Sequence, residues 1–378
     1  MNIYDLWFCS IKLTNKIKLN IIKKFKNTQE IWMNSIYENK NINICENNIQ
    51  NIKLNREFRN AWNKDKLESI ALKCYEKGIN VVNFNDDLYP SKLKNYDNSP
   101  AVLFYIGNIS ELNEKLNVSI VGARKCSIYG KNAAEIISRE VSSNGINIVS
   151  GMARGIDTCA HRGCIMTNGY TCAVLGSGID VIYPAENKEL YRQISKKGCV
   201  ISEFMPGTPP LSYNFPIRNR IISGLCDVLL VVEAGKRSGA LITADIALEQ
   251  GKNVMAVPGS IFSYESKGTN KLIKEGAYPF TNLQDLFELL NIEYEIKNYK
   301  AKTVEKISEL NNYQKKIYGI IGDTPVHIDD ILRITNIDIK QLYGLLFELQ
   351  LKKQIICLSG NYYVRTVNKN NILENKSS

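Results

Sequence analysis

Short apolar runs alternate with longer amphipathic stretches from Asn117 onward. The runs VSIVG, INIVSG, TCAVLGSG, CVISEF, DVLLVVEAG and NVMAVPGS are rich in β-branched residues and predict six strands. The stretches between them repeat their apolar residues at helical spacing. Nearly continuous hydrophobic strands separated by helices are typical of a parallel sheet covered on both faces. The pattern therefore predicts an α/β fold built on a doubly wound, Rossmann-like parallel sheet.

The flanking regions have different patterns. Residues 1–75 show helical periodicity, and residues 79–117 predict a strand, a proline-bearing loop and a further strand that join the central sheet. Near the end, three amphipathic stretches precede QIICLSGNYYVR, a predicted hairpin turning at Ser359, Gly360 and Asn361, and together they predict a winged helix. The predicted divisions are an N-terminal helical domain 1–75, a Rossmann-like domain 76–291, a polar linker 292–308, a winged helix 309–366 and a disordered tail 367–378.

Composition narrows the class of protein. No apolar run approaches the roughly 20 residues that span a bilayer, and the N-terminus lacks the apolar core of a signal peptide. The ten cysteines form no CxxC pair and there are only two histidines, so we expect reduced thiols and neither a metal nor another cofactor. The net charge of +10 fits a polyanionic partner or a solubility device. These features predict a cytoplasmic protein.

Arginine and glycine are concentrated in one segment. Eight of the twelve arginines and 16 of the 24 glycines fall between Val118 and Ser260, whereas the rest of the chain uses mostly lysine for its cations. Arginine presents a planar fork of donors that matches phosphate and stacks on flat rings. The segment therefore predicts a phosphate-binding centre, and structural ion pairs within the sheet are the alternative.

Several loops follow the predicted strands, where ligands of doubly wound sheets bind. Glycine in these turns lets backbone amides approach a phosphate, and each following helix N-terminus adds partial positive charge. The candidate ligand-binding residues in these loops are Arg124, Ser150, Gly151, Arg154, Gly176, Ser177 and Gly178.

The predicted helix FPIRNRIISGL adds polar candidates. Arg218, Asn219 and Arg220 lie in its first turns, where a cation opposes the helix dipole, so these side chains are expected to serve something outside the helix. The alternative is that Arg218 or Arg220 forms a structural ion pair with Glu203 or Glu233.

Aromatic residues surround these cations. Phe204, Tyr213 and Phe215 precede the arginines, and aromatic rings beside cations suit single-stranded nucleic acid, because bases stack and phosphates are neutralised. The alternative for each phenylalanine is ordinary core packing.

Other chemistry fits less well. The run from Gly176 to Val181 lacks the third glycine of a dinucleotide fingerprint, and Gly130-Lys131-Asn132 lacks both the spacing and the hydroxyl of a Walker loop. His161 follows Asp157 by four residues, but no serine or cysteine is placed as a nucleophile. We therefore expect a helix-packing role for His161.

The chain resembles the DNA-processing protein A (DprA, also called Smf) family. The resemblance rests on SIVGARKCSIYG, IVSGMARGIDTCAH, LGSGIDVIYPAENKEL, GCVISEF, FPIRNRIISGL, DVLLVVEAGKRSGALITADIALEQGK and VMAVPGS, and weaker similarity covers most of the remaining chain. It implies an extended Rossmann domain that binds single-stranded DNA without cutting it. It further implies that the protein protects incoming DNA in natural transformation, helps displace single-strand binding protein and loads the RecA recombinase.

The resemblance also assigns residues. Arg124 corresponds to the arginine that contacts the DNA backbone after the first strand. Members often carry lysine where this chain has Ala185, and Lys188 is the nearest cation. The first domain lacks the glycine-containing hairpins of a helix-hairpin-helix.

Two other classes of function remain open. An enzyme of the nucleotide phosphoribohydrolase (lysine-decarboxylase-like) group shares this type of sheet and uses a GGxGTxxE motif, but aligning Thr243 on its threonine places Ile246 at the catalytic glutamate. A transcription regulator would need a cationic recognition helix, and the segment from Asp338 to Lys352 has few cations.

An apolar stripe closes the Rossmann-like domain. Leu283, Leu286, Phe287 and Leu290 of TNLQDLFELL fall on one helical face, which the sheet, the winged helix or another chain must cover. Because members of the family dimerise and meet the recombinase through this part of the domain, we expect a homodimer whose interface includes Leu286 or Phe287 and overlaps the recombinase-binding surface.

Overall fold

The computed structural model describes residues 2–38, 48–292, 310–322, 324–352, 354–358 and 360–365. The predicted tail, and the predicted linker apart from Ile292, lie outside these residues. The described parts fall into two compact units, Met1–Phe280 and Thr281–Ser378. None of the described helices combines the length and apolar character needed to cross a bilayer.

The first unit is built around a sheet that has nine strands among the described residues. In space they follow the order β1-β2-β6-β5-β4-β3-β7-β8-β9. The six predicted runs form β3 to β8 and pair in parallel, which confirms the doubly wound parallel sheet, while β1 and β2 add an antiparallel edge. The strands are β1 (Asn80–Asn83), β2 (Val102–Gly107), β3 (Asn117–Val121), β4 (Asn147–Ser150), β5 (Thr171–Val174), β6 (Cys199–Ser202), β7 (Val228–Val231), β8 (Asn253–Ala256) and β9 (Tyr278–Pro279).

Helices connect the parallel strands, with α7 packed against α8 and α10 against α11. Ser127 and Ser238 cap α7 and α11 at their N-termini with their side chains. The helices around the sheet are α6 (Glu111–Glu114), α7 (Ile128–Ser143), α8 (Ile156–Ile165), α9 (Lys188–Lys197), α10 (Asn214–Leu225), α11 (Gly239–Glu249) and α12 (Lys267–Lys274).

The N-terminal helices share the hydrophobic core of this unit. Trp7 is fully buried and its Nε1 donates to the carbonyl of Phe58 at 3.0 Å. The carboxylate of Asp5 accepts from Thr28 Oγ1 at 2.7 Å and from Asn83 Nδ2 at 3.2 Å, which holds this region to β1. The helices are α1 (Ile3–Ser10), α2 (Asn15–Ile22), α3 (Thr28–Trp32), α4 (Asn48–Ala61) and α5 (Lys64–Glu76).

The second unit begins with α13 (Leu283–Leu289) and contains the predicted winged helix. Its sheet has the order β10-β12-β11 and the hairpin turns at Gly360 and Asn361, both with positive φ. Leu342, Leu346 and Leu349 are buried in its core. The remaining elements are α14 (Asn312–Ile320), β10 (Val326–His327), α15 (Ile328–Thr335), α16 (Ile339–Leu351), β11 (Ile355–Leu358) and β12 (Tyr362–Arg365).

Candidate functional site

The strand order of the sheet reverses at β3. Strands β4, β5 and β6 follow on one side of it in chain order, whereas β7 and β8 lie on the other side. Ligands of doubly wound sheets bind where the order reverses, outside the carboxyl ends of the strands. A cleft of about 610 Å³ opens at this place, lined by the loops after β3 and β7 and by the first turns of α10 and α11. We call it the switch-point cleft.

Arg124 is held at the mouth of this cleft by an aromatic ring. Its guanidinium carbon lies 5.1 Å from the centre of the Phe215 ring, and the Tyr183 ring lies 5.6 Å from the same centre. A Cβ at Gly176 would lie 2.8 Å from Cδ1 of Phe215, so only glycine accepts the ring in this position. Arg124 is exposed and its guanidinium is oriented by a cation–π contact before any ligand arrives.

The loop after β7 adds a cation that the sequence analysis missed. Arg237 is exposed and lines the cleft together with Lys125 from the loop after β3. Ser238 and Gly239 place the N-terminus of α11 at the same wall, which adds partial positive charge. The signal was available in the sequence, because AGKRSGA follows a predicted strand and carries glycine beside two cations.

Two further side chains shape this wall. Tyr264 is 58% exposed and lines the cleft, so its ring is available to stack on a flat ligand. Glu265 is half-buried there, and its Oε2 accepts from Ser263 Oγ at 2.8 Å. Exposed cations therefore exceed acids in the switch-point cleft, which favours an anionic ligand.

Arg218 lines the inner surface of the cleft but is buried and bonded to protein, which corrects the expectation that its guanidinium is available to a ligand. It is 3% exposed, and its Nη1 donates to the carbonyl of Gly151 at 2.6 Å and to that of Val174. Asp157 accepts from the backbone N–H groups of Gly151 and Ala153 at 3.1 and 3.3 Å. Burial raises the pKa of Asp157 to about 6 and lowers that of Arg218 to about 10, and their mutual attraction opposes both shifts. Arg218 thus fastens the ends of β4 and β5.

Arg220 also belongs to the structure. Its guanidinium pairs with the carboxylate of Glu203, and both side chains are less than a tenth exposed. Asn15 Nδ2 donates to the same carboxylate at 3.2 Å, which ties an N-terminal helix to this pair. The alternative of a structural ion pair with Glu203 is confirmed for Arg220. Asn219, between the two buried arginines, is half-buried and lines the cleft.

The two predicted serines point inward. Ser150 is fully buried and donates from Oγ to the carbonyl of Ile120 at 2.6 Å, while Ser177 donates to that of Val181 at 2.8 Å. Neither hydroxyl is available to a ligand, so both expectations are corrected.

The glycine turns pack against protein rather than forming an open anion nest. The N–H of Gly151 is used by Asp157, and Gly176 lies beneath the Phe215 ring. A Cβ at Gly178 would lie 2.7 Å from the carbonyl oxygen of Met205, so this glycine permits close backbone packing. These turns support the cleft by letting its walls approach each other.

The other predicted contacts lie outside the lining of the switch-point cleft. Arg154 forms a two-pronged ion pair with Glu186, at 2.7 and 3.0 Å, and both side chains are more than half exposed. Such a pair is worth little in water and can open for a ligand. Lys188 is exposed at the start of α9, and Phe204 is half-buried. Tyr213, next to the cleft residue Ser212, is 62% exposed.

The N-terminus of α7 is already occupied by a carboxylate. Glu233 accepts from the N–H of Ser127 at 2.9 Å and from its hydroxyl at 2.5 Å. A Cβ at Gly130 would lie 2.3 Å from this carboxylate. In a dinucleotide-binding sheet the pyrophosphate rests at the corresponding helix N-terminus. Glu233 therefore fills the position that a dinucleotide would need.

His161 packs inside the sheet's helical layer, as expected. It is fully buried, and its Nδ1 lies 2.7 Å from Thr171 Oγ1. Burial lowers the pKa of His161 to about 3, and the charge of Arg218 adds to the effect. Among the described residues, no group of three or more His, Cys, Asp or Glu side chains could hold a metal ion.

This histidine gives the protein a pH-dependent stability. Because its pKa is depressed in the folded state, its contribution is present above the unfolded value of roughly 6.5 and is lost as pH falls towards about 3. We expect His161→Gln to flatten the decline of the unfolding free energy across this range, by at most about 1.4 kcal/mol per pH unit. Urea denaturation of both proteins at several pH values measures this, and equal slopes would contradict it.

The predicted docking stripe is covered by the chain itself. Leu283, Leu286 and Phe287 are at most 1% exposed and Leu290 is 7% exposed. Side chains buried in their own chain present no face to a second copy or a recombinase. The expectation that these four residues form the homodimer and recombinase interface is therefore corrected.

Comparison with known proteins agrees with this architecture. The DNA recombination-mediator protein A family matches residues 80–291, and the DprA winged helix domain matches residues 302–361. The chain belongs to the DNA recombination-mediator protein A family. The DNA processing protein DprA of Streptococcus pneumoniae is 45% identical over 201 residues, which are 53% of this chain and 71% of that protein.

Solved structures extend the similarity to three dimensions. The crystal structure of the Streptococcus pneumoniae DprA protein superposes with a TM-score of 0.65 at 37% identity, covering 78% of this chain and 99% of that one. A structure of the Helicobacter pylori DprA protein, described as showing a single-stranded DNA binding mode, has a TM-score of 0.52 at 28% identity. It covers 57% of this chain and 97% of that one.

Proposed function

We propose that this protein binds single-stranded DNA in the switch-point cleft and mediates recombination without catalysis. The observation that carries the proposal is Arg124, exposed and oriented over Phe215 in a cleft that the exposed Arg237 also lines. Phosphates are neutralised by such cations, and bases can stack on the exposed ring of Tyr264. Membership of a recombination-mediator family and the DNA-binding mode of the Helicobacter pylori protein support it.

The proposed partners follow from the family. Single-stranded DNA held by its phosphates leaves its sequence unread, which suits a protein that must accept any incoming strand. We propose that the bound strand is passed to a RecA-type recombinase in natural transformation or recombination, with single-strand binding protein as the competitor that is displaced.

The enzyme alternative is not favoured by the cleft. Thr243 is 2% exposed, and Ile246 stands where the phosphoribohydrolase motif needs its glutamate. Glu233 is 3% exposed and accepts hydrogen bonds from the N–H and the hydroxyl of Ser127 at the start of α7. No nucleotide turnover is proposed for this site.

The proposal is tested by fluorescence anisotropy with a labelled oligothymidylate and a duplex of equal length, each at two salt concentrations. We expect tighter binding of the single strand, with an affinity that falls linearly on a log–log salt plot by about 0.7 per phosphate contact. Equal affinities for both substrates, or an affinity independent of salt, would contradict the proposal.

A further inference from the structure

The loop after β8 presents two apolar side chains to solvent at its tip. Ile261 is 76% exposed and Phe262 is 90% exposed. Large apolar side chains usually bury most of their surface, and the tips of turns usually carry glycine, proline, asparagine, aspartate or serine. The loop stands at the carboxyl end of β8, beside the switch-point cleft, so this pair is placed where a ligand of the cleft can reach it.

Hydrogen bonds fix the shape of this loop. The N–H of Ser263 donates to the carbonyl of Ser260 at 3.0 Å, which closes a β-turn with the two apolar residues at its centre. Asn270 on α12 donates from Nδ2 to the carbonyl of Gly259 at 2.9 Å and accepts from its N–H at 3.1 Å. We call residues 260–263 the β8 turn. Because its backbone is braced before a ligand arrives, binding orders little additional chain.

The β8 turn is continuous with the wall of the switch-point cleft. Tyr264 follows it directly and lines the cleft with a ring that is 58% exposed. A Cβ at Gly235 would lie 2.7 Å from Cε1 of Tyr264, so the ring rests on the loop after β7, which carries Arg237. The N–H of Ala234 in that loop donates to the carbonyl of Glu265 at 2.8 Å. The turn and the cleft wall therefore form one connected surface.

The cations around the β8 turn favour an anionic partner. Lys236 and Arg237 are exposed in the loop after β7, and Lys267 is exposed at the start of α12, with its Nζ 6.0 Å from the centre of the Tyr264 ring. Cations beside exposed aromatic rings match a polymer that carries both phosphates and flat bases. An apolar protein surface would bury these cations without partners, which is costly.

We propose that the β8 turn is a second base-binding element, on which unpaired bases stack as the strand leaves the switch-point cleft. This inference rests on the proposed binding of single-stranded DNA in that cleft. Phe262 supplies a flat ring and Ile261 an aliphatic surface beside it. In a duplex the flat faces of the bases are covered by their neighbours, so the turn contributes to the binding of single strands only. Stacking accepts any base, so this preference is independent of sequence.

The first test compares the full-length protein with Phe262→Ala by fluorescence anisotropy. Two strands of equal length are used, an oligothymidylate and an abasic strand with the same phosphates. We expect the affinity for the oligothymidylate to fall about tenfold, because the stacking of one base on an aromatic ring contributes this much or more. The affinity for the abasic strand and the log–log salt slope should keep the parent values, since no charge is removed.

Two further variants control this test. Phe262→Trp keeps a flat ring and should bind the oligothymidylate at least as tightly as the parent. Tyr75→Ala removes an aromatic ring that is 78% exposed on α5, away from the cleft lining, and should match the parent.

Two results overturn the proposal. One is a parent-like affinity of Phe262→Ala for the oligothymidylate, and if the variant then has a lower mass in sedimentation, the turn contacts another protein chain instead. The other is an equal loss of affinity for both strands, because the side chain would then act on the backbone path and not on a base. The proposed function is judged separately: if Arg124→Ala weakens binding and Phe262→Ala does not, the cleft still binds the strand and only the β8 turn is excluded.

Ultraviolet cross-linking tests the contact without any substitution. Trypsin cleaves after Lys252 and Lys267, so the β8 turn lies in the peptide 253–267. After irradiation of the parent protein with the oligothymidylate, this peptide should carry a nucleotide, and its fragment ions should place the nucleotide on Phe262. A duplex of the same length should leave Phe262 unmodified. Cross-links confined to residues of the cleft, or equal modification of Phe262 by the duplex, overturn the proposal.

Discussion

Replacing Arg124 and Arg237 together with alanine is expected to weaken single-stranded DNA binding by about one to two orders of magnitude. Each arginine supplies one charge-assisted contact to a phosphate, worth roughly 1.5 kcal/mol or more, and a factor of ten corresponds to about 1.4 kcal/mol. Both guanidinium groups are exposed at the switch-point cleft, so their removal leaves no buried partner unpaired. Titration of an oligothymidylate at several salt concentrations should also show a log–log slope smaller by about 1.4.

The control for this prediction removes one exposed cation elsewhere. Arg192 on α9 has a 59% exposed side chain and lies outside the cleft, so Arg192→Ala should keep nearly the parent affinity and salt slope. The single variants Arg124→Ala and Arg237→Ala should each lose about half of the binding free energy that the double variant loses. If the double variant binds single-stranded DNA with the parent's salt slope, the strand does not bind in this cleft and the proposed site is wrong.

The fold followed from hydrophobic periodicity because the central strands are buried on both faces. Val228 to Val231, for example, are fully buried, and a run of this kind has few alternatives to a central strand. The sequence pattern also predicted the N-terminal helices, but it did not predict that they pack into the same hydrophobic core as the sheet. That place depends on contacts such as those of Asp5 with Thr28 and Asn83, which join segments distant in sequence.

The candidate site was predicted less completely. Arg124, Asn219 and Phe215 line the switch-point cleft as expected. Ligands of doubly wound sheets bind outside the carboxyl ends of the strands, and this place follows from the order of strands and helices in the sequence. Arg218 and Arg220 carry the same signal in sequence but are buried, since whether an arginine meets solvent or a carboxylate is decided by tertiary packing. Apolar residues on helices show the same limit: Leu286 and Phe347 both lie on apolar helical faces, and only tertiary packing makes Leu286 buried and Phe347 exposed.

The buried arginine gives the largest expected effect on stability. Arg218→Ala should lower the unfolding free energy by about 3–5 kcal/mol, because it removes the nearby positive charge that favours the buried Asp157 carboxylate and leaves the carbonyls of Gly151 and Val174 without their donor. Arg218→Lys keeps the charge but not the planar fork, so it should lose less. Urea denaturation followed by circular dichroism measures both variants.

The same variants separate a structural role from a ligand contact. If Arg218 only fastens β4 and β5, the DNA affinity of Arg218→Ala should fall in proportion to its unfolded fraction, and the salt slope of the folded protein should stay at the parent value. Asp157→Asn removes the opposite charge and should make Arg218→Ala less costly in the double variant, since the two sites are coupled. A stable Arg218→Ala protein that binds DNA with a salt slope reduced by about 0.7 would instead place this guanidinium on a phosphate.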